Sequence, residues 1–463
     1  MSEKPKLRFL DAALYAIVMN TGLRWLPVAA AVGPASFSLW ALALVVFFVP
    51  LAAATASLTE RFHAEGGIYA WVRESFGPLA GFLCGWFYWF SLMPYFAGIL
   101  YFLSGLAMAT LGLDPHDKTL YLIFSVGIGV FVTAFQFVGL AFNKWLTNFG
   151  AAGSWLIFLL LAGLALYFLT HHQSATNFAT SAYFPQLNFD TAILWGTIVF
   201  AYSGLEALGF LRNEIEGGIK TILRVLAVVG VAVGVLYIAG TGAMLVLLPS
   251  AQMSRLGGFA DVLHAVFSHA GLPAIAPLAL GLLALAQLGG FTAWFGAGAR
   301  LPLAAGIDNF LPAAFGKRNS HTGAPTAAIL LQGGMMLVFV VLGQAGATAA
   351  VAYDFLVAMS VLTNTICYVF MFAAYWKTAR AAPIAGAWQP PGGIRTNLLL
   401  AGMGQTSTLI AIACTLVPGG DDAHPLTTFL KIVFSSLAML VAGLVLYWLG
   451  SRRRAAVLQG AVP

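Results

Sequence analysis

Charge is what this sequence has least of. Of its 463 residues, 8% are Asp, Glu, Lys or Arg, while 60% are hydrophobic. Soluble domains carry about 25% charged residues, so a water-soluble fold is excluded. Cysteine is scarce, with three in all. Cys84, Cys367 and Cys414 lie in apolar runs without CxxC spacing, which makes them packing residues and provides neither a disulfide framework nor a metal site. The eight histidines fall mostly in loops and show no HExxH spacing. His171-His172 is a loop pair rather than a ligand set. No GxxxxGK[ST] loop occurs, so no nucleotide site is expected. The alternating ten-residue segments of a membrane β-barrel are also missing. The short basic start, Met1 to Arg8, is followed by no small-residue cleavage signal, so the first apolar segment is expected to stay on the protein.

What is present is apolar sequence in long runs, with a mean hydropathy of +0.89. Runs of about 20 apolar residues read as membrane-spanning helices. They fall near 10–33, 36–59, 81–111, 119–140, 146–170, 191–211, 221–248, 275–300, 326–343, 349–376, 397–417 and 427–449. The fold class is therefore all-α and polytopic, with about twelve spans. Net charge is +6, but its distribution argues against nucleic acid as a partner. Of the 22 Lys and Arg residues, only Lys118 and Arg255 fall in outer loops. Arg24 and Lys431 fall in or at the edge of spans, and the rest lie in inner segments. This is the positive-inside pattern. It predicts both termini in the cytoplasm and a place in the inner membrane.

The most awkward stretch is Asn20-Thr21-Gly22-Leu23-Arg24-Trp25-Leu26-Pro27, in the middle of the first span. Gly and Pro weaken a helix, and irregular backbone at membrane depth needs cover from protein or a water-filled cavity. The sixth span repeats the feature with Phe200-Ala201-Tyr202-Ser203-Gly204-Leu205-Glu206. Spans one and six hold the same place in two five-span halves of opposite topology. Gly-interrupted spans in corresponding positions point to a binding site between inverted repeats. The domains read as 1–9, an inner N-terminus; 10–376, a ten-helix core with repeats 10–170 and 191–376; 377–449, two further helices; and 450–463, an inner tail. Three connections are more than turns. Residues 60–78 end in a short amphipathic helix on the inner surface, 250–273 hold an apolar helix suited to a lid, and 300–325 form a basic inner loop.

These residues resemble the amino acid–polyamine–organocation (APC) permeases, and bacterial amino-acid/amine exchangers and proton-coupled permeases in particular. Asn20-Thr21-Gly22-Leu23 with Pro27 stands where that family has Gly-Ser-Gly-Ile. Glu65-Gly66-Gly67-Ile68-Tyr69-Ala70-Trp71-Val72-Arg73-Glu74-Ser75-Phe76-Gly77-Pro78, continuing through Gly81-Phe82 and Gly85-Trp86, is similar to its second-to-third-span signature. Phe200 to Glu206 resembles its sixth span. Arg300, Gly306-Ile307-Asp308-Asn309-Phe310-Leu311-Pro312 and Gly323-Ala324-Pro325 are similar to its inner loop after span eight. The resemblance implies a LeuT-like fold of five plus five inverted repeats with two C-terminal helices, and alternating access. It implies that a substrate α-carboxylate meets Thr21, Gly22 and Leu23, and that the α-ammonium meets carbonyls of Phe200, Ala201 and Ser203. Asn20, Arg24, Tyr202 and Gly204 complete the two breaks. Phe200 and Phe291 match gating aromatics, and Ser91 and Leu92 match side-chain-pocket residues. The span-five lysine of some proton-coupled relatives is absent, and Ser154 lies near its place.

A charge at the bilayer centre costs at least about 2.5–3.5 kcal/mol and so needs a partner or a role. Glu206 suits a proton-coupled switch. Arg24 has three open readings: it binds a substrate carboxylate, pairs with Asp354 as an outer gate, or neutralises Glu206. Lys431 is expected to snorkel. Together these features predict a secondary amino-acid transporter, proton-coupled or exchanging, rather than an enzyme. A sodium-coupled symporter and a transporter-like sensor are the alternatives. No cofactor is expected, and H+ is expected over Na+. The substrate reads as neutral or acidic rather than dibasic, and the protein as a monomer or homodimer in the bilayer.

Overall fold

The computed structural model describes residues 7–62, 66–137, 140–210, 212–304, 310–319, 323–344, 348–381, 388–417 and 425–458. Glu65 of the second-to-third-span signature, and Gly306, Ile307, Asp308 and Asn309 of the inner loop, lie outside the described residues.

The first apolar run is two helices, α1 (Phe9–Asn20) and α2 (Trp25–Ala30). The second begins as α3 (Ala35–Ala43), passes through a π-turn at Leu44–Phe48 and continues as α4 (Val49–Arg61). Short α5 (Gly67–Phe76) leads into α6 (Pro78–Phe90) and α7 (Leu92–Leu111), a single run interrupted at Ser91. Then come α8 (Lys118–Phe135) and α9 (Leu140–His171). The sixth run is again split, into α10 (Phe189–Ala201) and α11 (Ala207–Phe210). The chain continues through α12 (Gly218–Leu247), α13 (Gly258–His269), α14 (Ile275–Ala304) and α15 (Thr326–Gln344). It ends with α16 (Ala349–Ala379), α17 (Gly393–Thr415) and α18 (Pro425–Leu458).

Among the described residues, ten helical segments are long and apolar enough to cross a membrane. They coincide with ten of the twelve expected spans. The two that fall short are the first and the sixth, the two predicted to be broken. Local chemistry explains where each stops. At the end of α1, Asn20 Nδ2 donates to the Ala16 carbonyl (2.8 Å) and Thr21 Oγ1 to the Ile17 carbonyl (2.7 Å). These side chains engage carbonyls in the last turn of the helix. At the end of α10, Ser203 Oγ donates to the Phe200 carbonyl (2.6 Å). Gly204 then takes φ +116°, a conformation that L side chains rarely adopt.

Three contacts fix the helices around the breaks. Helices α9 and α14 cross almost in contact, since a Cβ on Gly289 would sit 2.8 Å from Gly150 Cα. Trp40 of α3 stacks on Tyr237 of α12, with centroids 4.4 Å apart, and Tyr202 meets Trp40 edge-on at 5.3 Å. Leu7, ahead of α1, pairs with Ile215, beyond α11, in an isolated parallel bridge.

The helix expected in 250–273 is α13, with Phe259, Val262, Leu263, Val266 and Phe267 buried. The expectation for α5 needs correction. The helix forms, but Ile68, Tyr69, Ala70, Trp71 and Val72 are all buried, so it packs inside the protein rather than lying on a surface. Five consecutive buried residues cover every side of the helix, and Trp71 packs against Gly209 of α11.

Candidate functional site

The two breaks open onto one cavity of about 120 Å3. Break one contributes Asn20, Thr21, Gly22 and Trp25. Break two contributes Phe200, Ala201, Ser203, Gly204 and Glu206. Leu92 and Tyr95 of α7, Ser154 of α9 and Phe291 and Trp294 of α14 close the walls, with Asn364 of α16. The breaks also touch directly: a Cβ on Gly204 would lie 3.1 Å from Asn20 Oδ1.

One hydroxyl ties both breaks together. Tyr237 Oη accepts from the Gly22 backbone N–H (3.2 Å) and lies within donating distance of two carbonyls, Asn20 (2.9 Å) and Ala201 (3.1 Å). Tyr237 is fully buried and stands in an unbroken apolar helix. Nothing in the sequence distinguishes it from a packing tyrosine, and the sequence reading passes it over.

Glu206 is fully buried. Its Oε1 accepts from Tyr88 Oη (2.8 Å) and its Oε2 from the Gly204 N–H (3.1 Å). The carboxyl group thus fastens the second break to α6 while facing the cavity. Ser154 Oγ donates to the Gly150 carbonyl (2.9 Å) and reaches Gln287 Oε1 (3.4 Å). This neutral pair forms part of the cavity wall. Phe200 meets Trp25 edge-on at 5.8 Å and Tyr95 at 5.5 Å, forming an aromatic cluster at the cavity edge.

The remaining predicted residues lie elsewhere. Leu23, Arg24, Ser91 and Tyr202 are buried outside the cavity lining. Ser91 Oγ donates to the Tyr88 carbonyl (2.8 Å) and supports the wall from behind. Tyr202 Oη donates to the Trp40 carbonyl (3.3 Å). Asp354, also away from the cavity, pairs with Arg255 (3.2 Å), and Arg255 pairs in addition with Asp190. The Arg24–Asp354 gate and the Arg24–Glu206 pair are not formed here. Arg24 instead lies between two rings, its Cζ 4.0 Å from the Trp25 centroid and 4.3 Å from that of Tyr95. Both rings line the cavity. A flat, weakly hydrated guanidinium suits such stacking.

Among the described residues, no group of three or more His, Cys, Asp or Glu side chains could hold a metal ion. The chemistry the cavity offers is recognition, through backbone at two helix breaks, hydroxyl and amide groups, one carboxyl group and aromatic faces.

The sequence profile described as "amino acid permease" matches residues 7–445. An uncharacterised transporter of Legionella pneumophila is 25% identical over 97% of each chain. A protein of Lactococcus lactis named "probable agmatine/putrescine antiporter" is 21% identical over 89% of this chain and 88% of its own. A glutamate/γ-aminobutyrate antiporter of the same species is 23% identical over 86% of this chain and 81% of its own.

Proposed function

Since the chain belongs to the amino acid permease family and is a multi-pass membrane transporter, we propose that it moves amino acids across the cytoplasmic membrane by alternating access. It works as an exchanger or with protons, and both termini face the cytoplasm. The observation that carries this reading is the meeting of the two helix breaks at one cavity, fastened by Tyr237. Half-helix ends and unwound backbone at membrane depth suit a ligand with both an anionic and a cationic group.

In this reading the α-carboxylate lies against Thr21 and Gly22, and the α-ammonium against the carbonyls of Phe200, Ala201 and Ser203. Leu23 backs the first of these from behind the wall. Phe200 and Phe291 gate the cavity, with Asn20 and Gly204 setting the contact between breaks. Glu206 carries the coupling proton and releases α6 from the second break as it titrates. The antiporter names of two relatives favour exchange. The substrates in those names include a diamine and an acidic amino acid, so family membership alone leaves substrate charge to the site.

The test is counterflow in proteoliposomes with a panel of amino acids, with and without sodium, at two pH values. Accumulation of labelled amino acid without sodium is expected. Ligand binding without flux would turn the reading to a sensor, and flux only with sodium would overturn the proton assignment.

A further inference from the structure

Arg24 is 3% exposed and its Nη1 has no hydrogen-bond partner. Among the described residues, none of the salt bridges includes it. A guanidinium keeps its charge in any protein environment. Its contacts are the faces of Trp25 and Tyr95, and Nη1 points toward α7, where a Cβ on Gly98 would lie 3.4 Å away. Cation–π contact offsets only part of the cost of removing a charge from water. A full positive charge therefore stands against two rings that line the cavity, and among the described residues no carboxylate lies within salt-bridge distance of it.

We propose that Arg24 is the specificity-determining residue of this cavity, admitting ligands without net positive charge and rejecting diamines and basic amino acids. The proposal rests on the reading of the cavity as the transport site. Arg24 does not line the cavity, so it acts through its field rather than by contact. A ligand atom packed on the cavity side of Trp25 sits roughly 3.5–4 Å beyond the ring, hence about 7–8 Å from the guanidinium. At that separation a unit charge in a partly buried setting shifts occupancy by about tenfold or more. Among the described residues that line the cavity, the one ionisable acid is Glu206, whose oxygens already accept from Tyr88 and Gly204. The α-ammonium of any amino acid is served by the carbonyls of the second break. A second ammonium, as in lysine or putrescine, has only the aromatic wall and Arg24 behind it. A neutral side chain packs on those rings, and a side-chain carboxylate gains from the field.

The experiment is competition of labelled exchange in proteoliposomes by glutamate, leucine, lysine and putrescine, in wild type, Arg24→Gln and Arg24→Lys. Wild type is expected to prefer glutamate and leucine over lysine and putrescine by tenfold or more. Arg24→Lys is expected to keep that ratio, and a folded Arg24→Gln to bring it close to one. Wild type moving lysine or putrescine as well as leucine would overturn the proposal without any variant, as would an unchanged ratio in folded Arg24→Gln. If no solute moves, the transport reading falls, and the same ranking is read from ligand-induced thermal shifts of the purified protein. Shifts that favour glutamate and leucine keep Arg24 as the selector, and no shift with any ligand overturns both readings.

Discussion

Tyr237 serves three backbone groups with one hydroxyl. Removing that oxygen leaves the Gly22 N–H and the Asn20 and Ala201 carbonyls without this partner. An unsatisfied buried group costs about 1–3 kcal/mol. Tyr237→Phe keeps the ring that stacks on Trp40, so it tests the hydroxyl alone. We expect the thermal midpoint in detergent to fall by a few degrees and exchange to fall by about tenfold or more, read by counterflow. Glu206 is tested differently, because its amide keeps an oxygen to accept from Tyr88 but cannot ionise. Glu206→Gln should remove the pH dependence of uptake while leaving the fold intact, and an unchanged profile would end its proton role. The two residues also differ in legibility. Glu206 stood out because a carboxylate is conspicuous in an apolar run. Tyr237 did not, since its role comes from two carbonyls and an N–H supplied by residues far from it in sequence. Arg24 was legible as a charge in need of a partner. That the partners would be Trp25 and Tyr95 depended on how α7 packs, which no local pattern carries.

The breaks themselves were readable at the level of the helix. Glycine in one apolar run reads as packing, but two such interruptions at corresponding positions point to breaks, and the two affected spans are the two missing from the long apolar helical segments. Gly204 is where the second break depends on one residue. Its φ of +116° is strained for any L side chain, and its Cβ position lies against Asn20 Oδ1. Gly204→Ala should cost about 1–3 kcal/mol in backbone strain and push the two breaks apart. We expect a lower thermal midpoint together with a loss of exchange larger than Ala substitution at a lining side chain such as Ser154 produces. The α5 segment shows where helix-level reading failed. Its mix of apolar and charged residues looked like a surface helix, yet Ile68 to Val72 are buried all round. Whether an apolar side of a short helix meets lipid headgroups or protein is set by a partner, here α11 and Gly209.

At the scale of the whole molecule, the cavity is fastened on opposite sides of the broken helices. Beyond α11, Leu7 donates its N–H to the Glu214 carbonyl (2.6 Å) and accepts from the Glu216 N–H (2.9 Å). This holds the segment before α1 to the segment after α11. At the other end of the second broken helix, Arg255 joins Asp190, at the start of α10, to Asp354 on α16. Ion pairs this exposed contribute about 0–1 kcal/mol each, so the Arg255 link can open at little cost. The Leu7–Ile215 bridge is backbone pairing, and the proposed alternating access requires it to part whenever α1 and α11 separate. Bridged strands lie about 4.8 Å apart, inside the roughly 4.4–6.8 Å Cα separation a disulfide accepts. The double variant Leu7→Cys with Ile215→Cys should therefore cross-link on mild oxidation. Exchange should stop in the cross-linked protein and return on reduction, with each single variant unaffected by oxidant. Full exchange in protein shown to be cross-linked would mean that the bridge stays closed throughout the cycle, and the opening would then have to be sought at α5 and α11 rather than at the N-terminal segment.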